Sequence, residues 1–323
     1  MSPNIEFLKR CSIETGYRAD ILEKVIRLGK FAAEIAKHPF LGQALALKGG
    51  TALNLCYGAP KRLSVDLDYN YIAHMEREKM LVDRPEVEKA LADVAARLGY
   101  QLQKSADAFA GRKTYLRYQS MMGPSDRIEV DVNFIHRVPI GESERRSLWQ
   151  PGGLFQPIVN VVSLSELELG KLNAFIERGA PRDAWDIVHL SEPSAAILKT
   201  PEFRARFIAL SAAFEQPLYT YTYARLHSLL RDQCVTEQLT PVLPEQTDIK
   251  SEELAEKSWS RVESLMALQS NEKEYVDAIQ HGELRLDLLF RNNEKEIALL
   301  GKHPAILWKL DNVRRHHLGH EMG

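Results

Sequence analysis

Two segments of the chain alternate apolar and polar residues, which is the pattern of a half-buried β-strand. In the first segment, Asp66 and Asp68 alternate with the apolar neighbours Val65, Leu67 and Tyr69. In the second segment, the apolar residues Ile128, Val130, Val132 and Phe134 alternate with the polar residues Glu129, Asp131 and Asn133. Because successive side chains of a strand point to opposite faces, each segment presents its carboxylates together on one face.

The remaining patterns predict an α+β fold around these strands. A short apolar run at 44–47 predicts a buried strand, and a helix start follows at Thr51. Further strands are expected at 100–103 and 113–119, and helices at 85–98, 165–178, 181–190, 201–230, 251–268 and 271–280. The segment 236–250, with its three threonines and two prolines, predicts a linker. We expect a small mixed sheet flanked by helices in residues 1–195, with a helical segment at 1–43, and a mainly helical C-terminal domain at 196–323.

A pair of glycines, Gly49 and Gly50, joins the predicted strand at 44–47 to the helix that follows. Backbone amides at such a helix N-terminus can bind phosphate oxygens. The segment lacks the Gly-Lys-Ser/Thr sequence of a P-loop. An ordinary tight turn is the alternative, and it is the more common reason for a Gly-Gly pair.

The carboxylates predict a divalent metal site. Asp66 and Asp68 on one face repel each other and raise each other's pKa unless a cation lies between them. A hard ion such as Mg²⁺ prefers oxygen ligands from carboxylates and phosphates. If the second strand lies beside the first, Asp131 or Glu129 joins the pair, and three carboxylates can hold two metals for phosphoryl transfer. The alternative is the solvated face of an edge strand.

Charged residues also cluster on two predicted helices. Ser165 and Glu168 have the spacing of a capping box, with Ser165 as the N-cap. Lys171 and Arg178 follow two turns apart and share a face. The next helix opens at a proline and carries three more charged side chains, Arg182, Asp183 and Asp186. Either these are surface charges, or the cations contact a triphosphate while the second helix braces the site.

Composition limits the choice of partners and compartment. The chain has 323 residues and a formal net charge of −2, so nucleic acid would have to bind to local basic patches. The candidate patches are Arg112, Lys113 and Arg117 with Tyr115 and Tyr118; Arg145 and Arg146; and the tail at 314–317. Three scattered cysteines indicate neither a disulfide framework nor a metal site. With no signal peptide and no membrane-spanning apolar run, we expect a cytoplasmic protein.

Four motifs taken together resemble the AbiEii/AbiGii-type nucleotidyltransferase toxins, a branch of the DNA-polymerase-β-like nucleotidyltransferases. The motifs, which span about 44–190, are Lys48-Gly49-Gly50-Thr51-Ala52-Leu53; Arg62-Leu63-Ser64-Val65-Asp66-Leu67-Asp68; Glu129-Val130-Asp131-Val132-Asn133-Phe134; and Lys171 through Arg178 to Arg182-Asp183-Ala184-Trp185-Asp186. The fold expected from this resemblance is a nucleotidyltransferase core built on the small mixed sheet.

The resemblance also implies roles for individual residues. Asp66, Asp68 and Asp131 would bind Mg²⁺, in a site with two metals, and Asp131 matches the third acidic position better than Glu129. Lys171 would contact the triphosphate, and Asp186 would be the catalytic acidic residue of the last motif, with Asp183 as its rival. Residues on the nucleotide side would be Lys48, Gly49, Gly50, Thr51, Arg62, Ser64, Arg178, Arg182 and Asp183. The serine of the first turn in related enzymes would be replaced by Thr51 or Ser64.

For function, the resemblance implies the toxin of a bacterial toxin–antitoxin or phage-defence (abortive infection) pair. Such an enzyme would transfer nucleotides from an NTP to an RNA acceptor, the tRNA 3′ end above all, and so block translation and growth. A cognate antitoxin protein would be its partner. Two alternatives stay open: transfer of a nucleotide to a protein side chain, and a module that binds NTP or antitoxin without turnover.

Overall fold

The computed structural model describes residues 3–106 and 111–321, with side chains up to residue 316. The chain packs into two compact units. The first comprises Met1–Ser163 and Glu237–Asp248, and the second comprises Leu164–Thr236 and Ile249–Gly323.

The first unit is built on a mixed sheet of seven strands, which confirms the α+β prediction. The strands are β1 (Leu45–Lys48), β2 (Asp66–Tyr71), β3 (Gln101–Lys104), β4 (Gly111–Gln119), β5 (Ser125–Asn133), β6 (Glu144–Ser147) and β7 (Ile158–Val161). Their order across the sheet is β3-β4-β5-β2-β1-β7-β6. The pairs β2–β5 and β1–β7 are parallel, and the other neighbours are antiparallel. Strands β1 to β5 lie where the sequence patterns predict them, whereas β6 and β7 were not predicted.

In the described part of this unit, five α-helices accompany the sheet: α1 (Ile5–Thr15), α2 (Ala19–Lys37), α3 (Leu41–Ala44), α4 (Gly49–Cys56) and α5 (Arg77–Arg97). The longest apolar face belongs to α2, which packs on β2, β5 and β7 and buries Leu22, Val25 and Phe31 completely. The expected helix at 85–98 starts earlier, at Arg77, so that Pro85 lies inside it. A proline removes a hydrogen bond to the carbonyl four residues earlier, and Leu81 is exposed, so water can satisfy that carbonyl.

The segment 237–248 belongs to the core of the first unit, so the prediction of a linker at 236–250 was wrong. The Leu63 amide donates a hydrogen bond to the Val242 carbonyl, and the Glu245 amide donates to the Gly16 carbonyl, each at 2.8 Å. Leu239 and Leu243 are buried. Apolar residues between the threonines and prolines hold this segment in place. The prediction of a linker rested on the threonines and prolines and did not consider these apolar residues.

The second unit is helical within the described residues. Its helices are α6 (Leu164–Arg178), α7 (Pro181–Val188), α8 (Glu192–Leu198), α9 (Pro201–Leu210), α10 (Tyr223–Leu229), α11 (Asp232–Gln238, which ends in the first unit), α12 (Ser251–Met266), α13 (Ser270–Gln280), α14 (Asp287–Phe290), α15 (Glu294–Leu300) and α16 (Pro304–Glu321). Because α6 packs on α7, α8 and α9, this unit begins at residue 164, whereas the sequence led us to expect a boundary after 195.

The start of α6 differs from the expected capping box. The helix already includes Leu164, so Ser165 lies inside its first turn and is not the N-cap. Glu168 is fully buried and therefore does not sit at an exposed helix end. Across residues 3–106 and 111–321, no helix is both long and apolar enough to cross a membrane.

Candidate active site

The two acidic strands are neighbours in the sheet and run parallel. Asp66 lies opposite Glu129, and Asp68 lies opposite Asp131. Residues opposite each other on adjacent strands share a face, and adjacent strands lie about 4.8 Å apart. The register therefore places all four carboxylates on one face of the sheet, including the three that sequence analysis selected as metal ligands.

Glu129 and Asp131 differ in their surroundings. Lys113 on β4 lies opposite Asp131, and its ammonium forms a hydrogen bond and salt bridge with Glu129. The hydrogen bond to Glu129 raises the pKa of Lys113, and Asp131 adds a smaller electrostatic effect. Among the described residues, no hydrogen bond or salt bridge reaches the Asp131 carboxylate. Asp131 is thus the more available ligand of the two.

The Gly-Gly turn lies directly beside the carboxylates. β1 runs antiparallel to β2 with Lys48 opposite Asp68, and Gly49 follows at a φ of 70°. A Cβ at Gly49 would lie 2.4 Å from Oδ2 of Asp68. Both the left-handed conformation and the close approach require glycine here. The turn therefore brings backbone against a carboxylate, with no side chain between them.

Gly50 completes the same turn beside two polar side chains. A Cβ there would lie 2.7 Å from Nη2 of Arg62 and 3.0 Å from Oγ of Ser64. Arg62 is buried, and its Nη1 donates a hydrogen bond of 3.0 Å to the Leu63 carbonyl. The helix α4 starts at Gly49, and its N-cap residue, Lys48, makes no side-chain cap hydrogen bond. Backbone amides, a guanidinium and a hydroxyl meet at this turn, and all three groups can donate hydrogen bonds to an anion.

Thr51 has a different position. Its side chain is fully buried, and its hydroxyl donates a hydrogen bond to the backbone carbonyl of Asp66. This bond ties α4 to the start of β2 and so fixes the distance between the turn and the carboxylates. Of the two hydroxyls that could replace the serine of related enzymes, Ser64 is the one beside Gly50.

These residues fit a magnesium ion that arrives with a nucleotide. In the part of the chain that the structure describes, no three His, Cys, Asp or Glu side chains are already grouped to hold a metal. However, Mg²⁺ is usually bound by one or two carboxylates, and substrate phosphates and water supply the other ligands. The all-oxygen set of Asp66, Asp68 and Asp131, next to a turn without Cβ atoms, provides what such an ion needs.

A buried ionic network occupies the second unit. Nζ of Lys171 lies 2.8 Å from Oδ1 of Asp183 and 2.7 Å from Oδ2 of Asp186. Nε of Arg178 lies 2.6 Å from Oδ2 of Asp183. Burial alone raises the pKa of Asp183, but the Lys171 and Arg178 cations overcome this effect and hold it well below its ordinary value. Four of the five charged side chains of this predicted motif, all but Arg182, are therefore brought together.

The two cations of this network differ in accessibility. The Lys171 side chain is 6% exposed, whereas that of Arg178 is 63% exposed. Lys171 is bonded to two carboxylates and acts as a brace in this arrangement. Arg178 shares Asp183 with it but reaches solvent. Arg182, in the first turn of α7, is half-buried.

Glu168 joins the network although sequence analysis assigned it to a helix cap. Burial raises its pKa to about 7, Ser194 and Lys171 lower it in part, and Asp186 adds to the rise. In the described structure neither of its carboxyl oxygens has a hydrogen-bond partner, and the Ser194 hydroxyl lies 2.8 Å from that of Ser191. Its spacing of three residues from Lys171 on one helix was the signal that could have found it.

Comparisons with known proteins show which family the chain is similar to. A family model described as "Nucleotidyl transferase AbiEii toxin, Type IV TA system" matches residues 31–287, most of the chain. No curated protein matches the sequence.

Two solved structures are similar in fold to differing degrees. The nucleotidyltransferase toxin MenT4 from Mycobacterium tuberculosis superposes with a TM-score of 0.59 at 17% identity, over 95% of this chain and 99% of that one. An antigenic nucleotidyltransferase-like protein from Paracoccidioides brasiliensis, at 13% identity, covers 84% of this chain and 98% of its own. Its TM-score of 0.33 is too low to support an argument about the fold.

Proposed function

Because the chain belongs to the AbiEii nucleotidyltransferase toxin family, we propose that it transfers a nucleotide from an NTP to an RNA acceptor in a reaction that requires Mg²⁺. As a member, it is a nucleotidyltransferase toxin of a type IV toxin–antitoxin system. The observation that carries the finer proposal is the position of Asp68: it lies opposite Asp131 on one side and against Gly49 on the other.

In this proposal, Asp66, Asp68 and Asp131 would hold Mg²⁺, one ion or two, together with oxygens of the triphosphate. The metal would neutralise phosphate charge and lower the pKa of the attacking hydroxyl. Amides of Gly49 and Gly50 would donate hydrogen bonds to phosphate oxygens at the start of α4.

Other residues of the turn would act on the same phosphates or position the turn. Arg62 and Ser64 are adjacent to Gly50 and would donate to the triphosphate or hold the backbone that does so. Lys48, opposite Asp68 in the sheet, would offset negative charge there. Thr51 would act indirectly, through its hydrogen bond to the Asp66 carbonyl.

The chemical step is an in-line displacement. A terminal hydroxyl oxygen of the acceptor forms a bond to the α-phosphorus while the bond between the α-phosphorus and the bridging oxygen breaks. Pyrophosphate leaves. The proton of the hydroxyl passes to Asp131, or to water beside it, since among the described residues no hydrogen bond or salt bridge occupies that carboxylate.

A role for Lys171, Arg178, Arg182, Asp183 and Asp186 in nucleotide binding or catalysis stays a prediction from the family resemblance. Within the second unit, Lys171 is bonded to Asp183 and Asp186 and would hold these carboxylates in place.

An experiment with labelled substrates tests the acceptor. Purified protein, Mg²⁺ and each α-³²P-labelled NTP are incubated with total bacterial RNA and with the cognate antitoxin. A labelled band of tRNA size, absent with Asp66→Ala, supports the proposal and identifies the nucleotide. A labelled protein and unlabelled RNA would move the acceptor to a side chain. NTP binding without label or pyrophosphate release would indicate a binding module without turnover.

A further inference from the structure

The basic and aromatic side chains of β4 lie on two opposite faces of the sheet. Arg112 forms a salt bridge of 3.2 Å with Glu88 of α5, and Tyr118 is buried. Lys113, Tyr115 and Arg117 alternate with these residues and therefore lie on the opposite face. That face is the one that carries the carboxylates, because Lys113 is opposite Asp131 in the sheet register.

A platform of cationic and aromatic side chains continues this face away from the carboxylates. We define the β4–β5 platform as Lys113, Tyr115, Arg117 and Arg127. Tyr115 is opposite Glu129, and Arg117 is opposite Arg127. The Arg127 guanidinium carbon lies 4.6 Å from the centroid of the Tyr115 ring. Both arginines and Lys113 are exposed.

The β4–β5 platform is adjacent to the candidate metal site on the same face of the sheet. Tyr115 shares a row of the sheet with Glu129 and Asp66, two strands away. At the usual strand spacing, its Cα lies roughly 10 Å from that of Asp66. On its other side, β3 places Gln103 opposite Tyr115 and Gln101 opposite Arg117, and both amides are exposed.

Such a set of side chains matches single-stranded RNA better than it matches a protein acceptor. Aromatic rings and guanidinium planes stack on unpaired bases, cations contact the phosphates, and amides bond to base edges. Lys113 is already paired with Glu129, so Arg117 and Arg127 supply the positive charge that attracts a polyanion. A surface that binds an acidic protein would need the cations. It would not need the Tyr115 ring that lies beneath the Arg127 guanidinium.

We propose that the β4–β5 platform binds the last unpaired nucleotides at the 3′ end of the RNA acceptor and directs the terminal hydroxyl toward Asp66 and Asp68. This inference rests on the proposed function, since it assumes transfer to RNA. It adds where on the protein the acceptor binds. It also adds that the acceptor is recognised as a single strand, through stacking of its bases. Binding requires no turnover, so the two proposals can fail separately.

The test measures binding of a short, 5′-fluorescein-labelled single-stranded RNA with a free 3′ hydroxyl by fluorescence anisotropy. The variants are Tyr115→Leu and Arg117→Gln. The matched control is Arg10→Gln, which removes the same charge from another exposed arginine of the first unit, on α1 and outside the candidate nucleic-acid patches. Thermal denaturation establishes that each variant is folded.

We expect Tyr115→Leu to weaken RNA binding about 5- to 150-fold, the range for loss of one stacked base. Arg117→Gln should weaken binding and reduce its salt dependence. Arg10→Gln should stay within about twofold of the wild type, because it lies outside the platform. In the transfer assay, Tyr115→Leu should raise KM for RNA while KM for the NTP is unchanged.

Three results would overturn the inference. One is equal RNA affinity for wild type, Tyr115→Leu and Arg117→Gln. Another is a larger loss with Arg10→Gln than with the platform variants. The third is a wild type with no affinity for the single-stranded RNA. This result includes a wild type that binds no RNA and transfers the labelled nucleotide to a protein. Asp68→Asn separates the two proposals: it should lose transfer but keep the RNA affinity of the wild type.

Discussion

Asp68 on β2 and Asp131 on β5 lie directly opposite each other in a parallel pair, whereas the nearby Glu129 is bonded to Lys113. From this relationship we expect Asp131→Asn to reduce nucleotidyl transfer by about 100-fold or more, since it removes a charge from the metal site. Glu129→Gln should reduce transfer far less. Incorporation of labelled nucleotide, measured for both variants at equal fold stability, checks this. The reverse order of effects would assign the third ligand to Glu129.

The Gly49 turn gives a second prediction. Gly49→Ala places a Cβ within 2.4 Å of the Asp68 carboxylate and should displace it, so transfer should fall to the background level. The matched control is Gly99→Ala. Gly99 has a φ of 75°, close to the 70° of Gly49, but nothing lies within 4 Å of its Cβ.

Both glycine variants should therefore lose about 1–2 kcal/mol of stability for the left-handed backbone, and Gly49→Ala should lose more because its Cβ also meets Asp68. Activity should separate them. If Gly49→Ala retains as much transfer as Gly99→Ala, the contact between the turn and Asp68 has no role in the reaction. Chemical denaturation and the transfer assay on the same preparations give both values.

The buried network predicts a large effect on stability. Lys171→Met leaves Asp183 and Asp186 without their shared cation and should lower the free energy of unfolding by about 3–5 kcal/mol. Lys257→Met is the control in the same unit, because Lys257 pairs with Glu253 on an exposed face. That change should cost about 0–1 kcal/mol. Urea denaturation compares the two, and equal losses would mean that Lys171 is not a structural brace.

Glu168 predicts a dependence of stability on pH. Its folded pKa of about 7 lies above its ordinary value of 4.5, so the folded state keeps a proton that the unfolded state releases. The contribution of this group to stability is full below pH 4.5 and is lost as the pH rises to about 7. The shift corresponds to about 3 kcal/mol for this buried carboxyl.

Glu168→Gln removes this titration while keeping the shape of the side chain. The variant should therefore gain stability over the wild type at pH 8 and show little difference at pH 4.5. Denaturation curves of both proteins at the two pH values measure the change. A difference that is the same at both would mean that Glu168 does not titrate in this range.

Much of the fold and of the candidate site could be predicted from local patterns. The alternation around Asp66 and around Asp131 gave the strands and the shared face, because the period of two is set by backbone geometry. Whether the two strands were neighbours could not be read from alternation, and neither could the choice between Asp131 and Glu129. That choice depends on Lys113, which pairing across the sheet brings to Glu129.

Other features of the fold depend on packing between residues that are distant in the chain, and local sequence patterns do not predict it. The segment at 236–250 looked like a linker, but its leucines pack in the first unit. Glu168 had the spacing of a helix cap, yet the helix begins one residue earlier than expected and buries it. In both cases a local preference gave way to contacts with residues distant in the chain.

The most direct test of the central claim is nucleotidyl transfer to RNA by the wild type and Asp68→Asn, each with Mg²⁺ and with EDTA. The account predicts incorporation by the wild type with Mg²⁺, loss of incorporation with EDTA, and a fall of about 100-fold or more for a folded Asp68→Asn. Undiminished transfer by Asp68→Asn, or by the wild type in EDTA, would contradict the assignment of these carboxylates to a magnesium site.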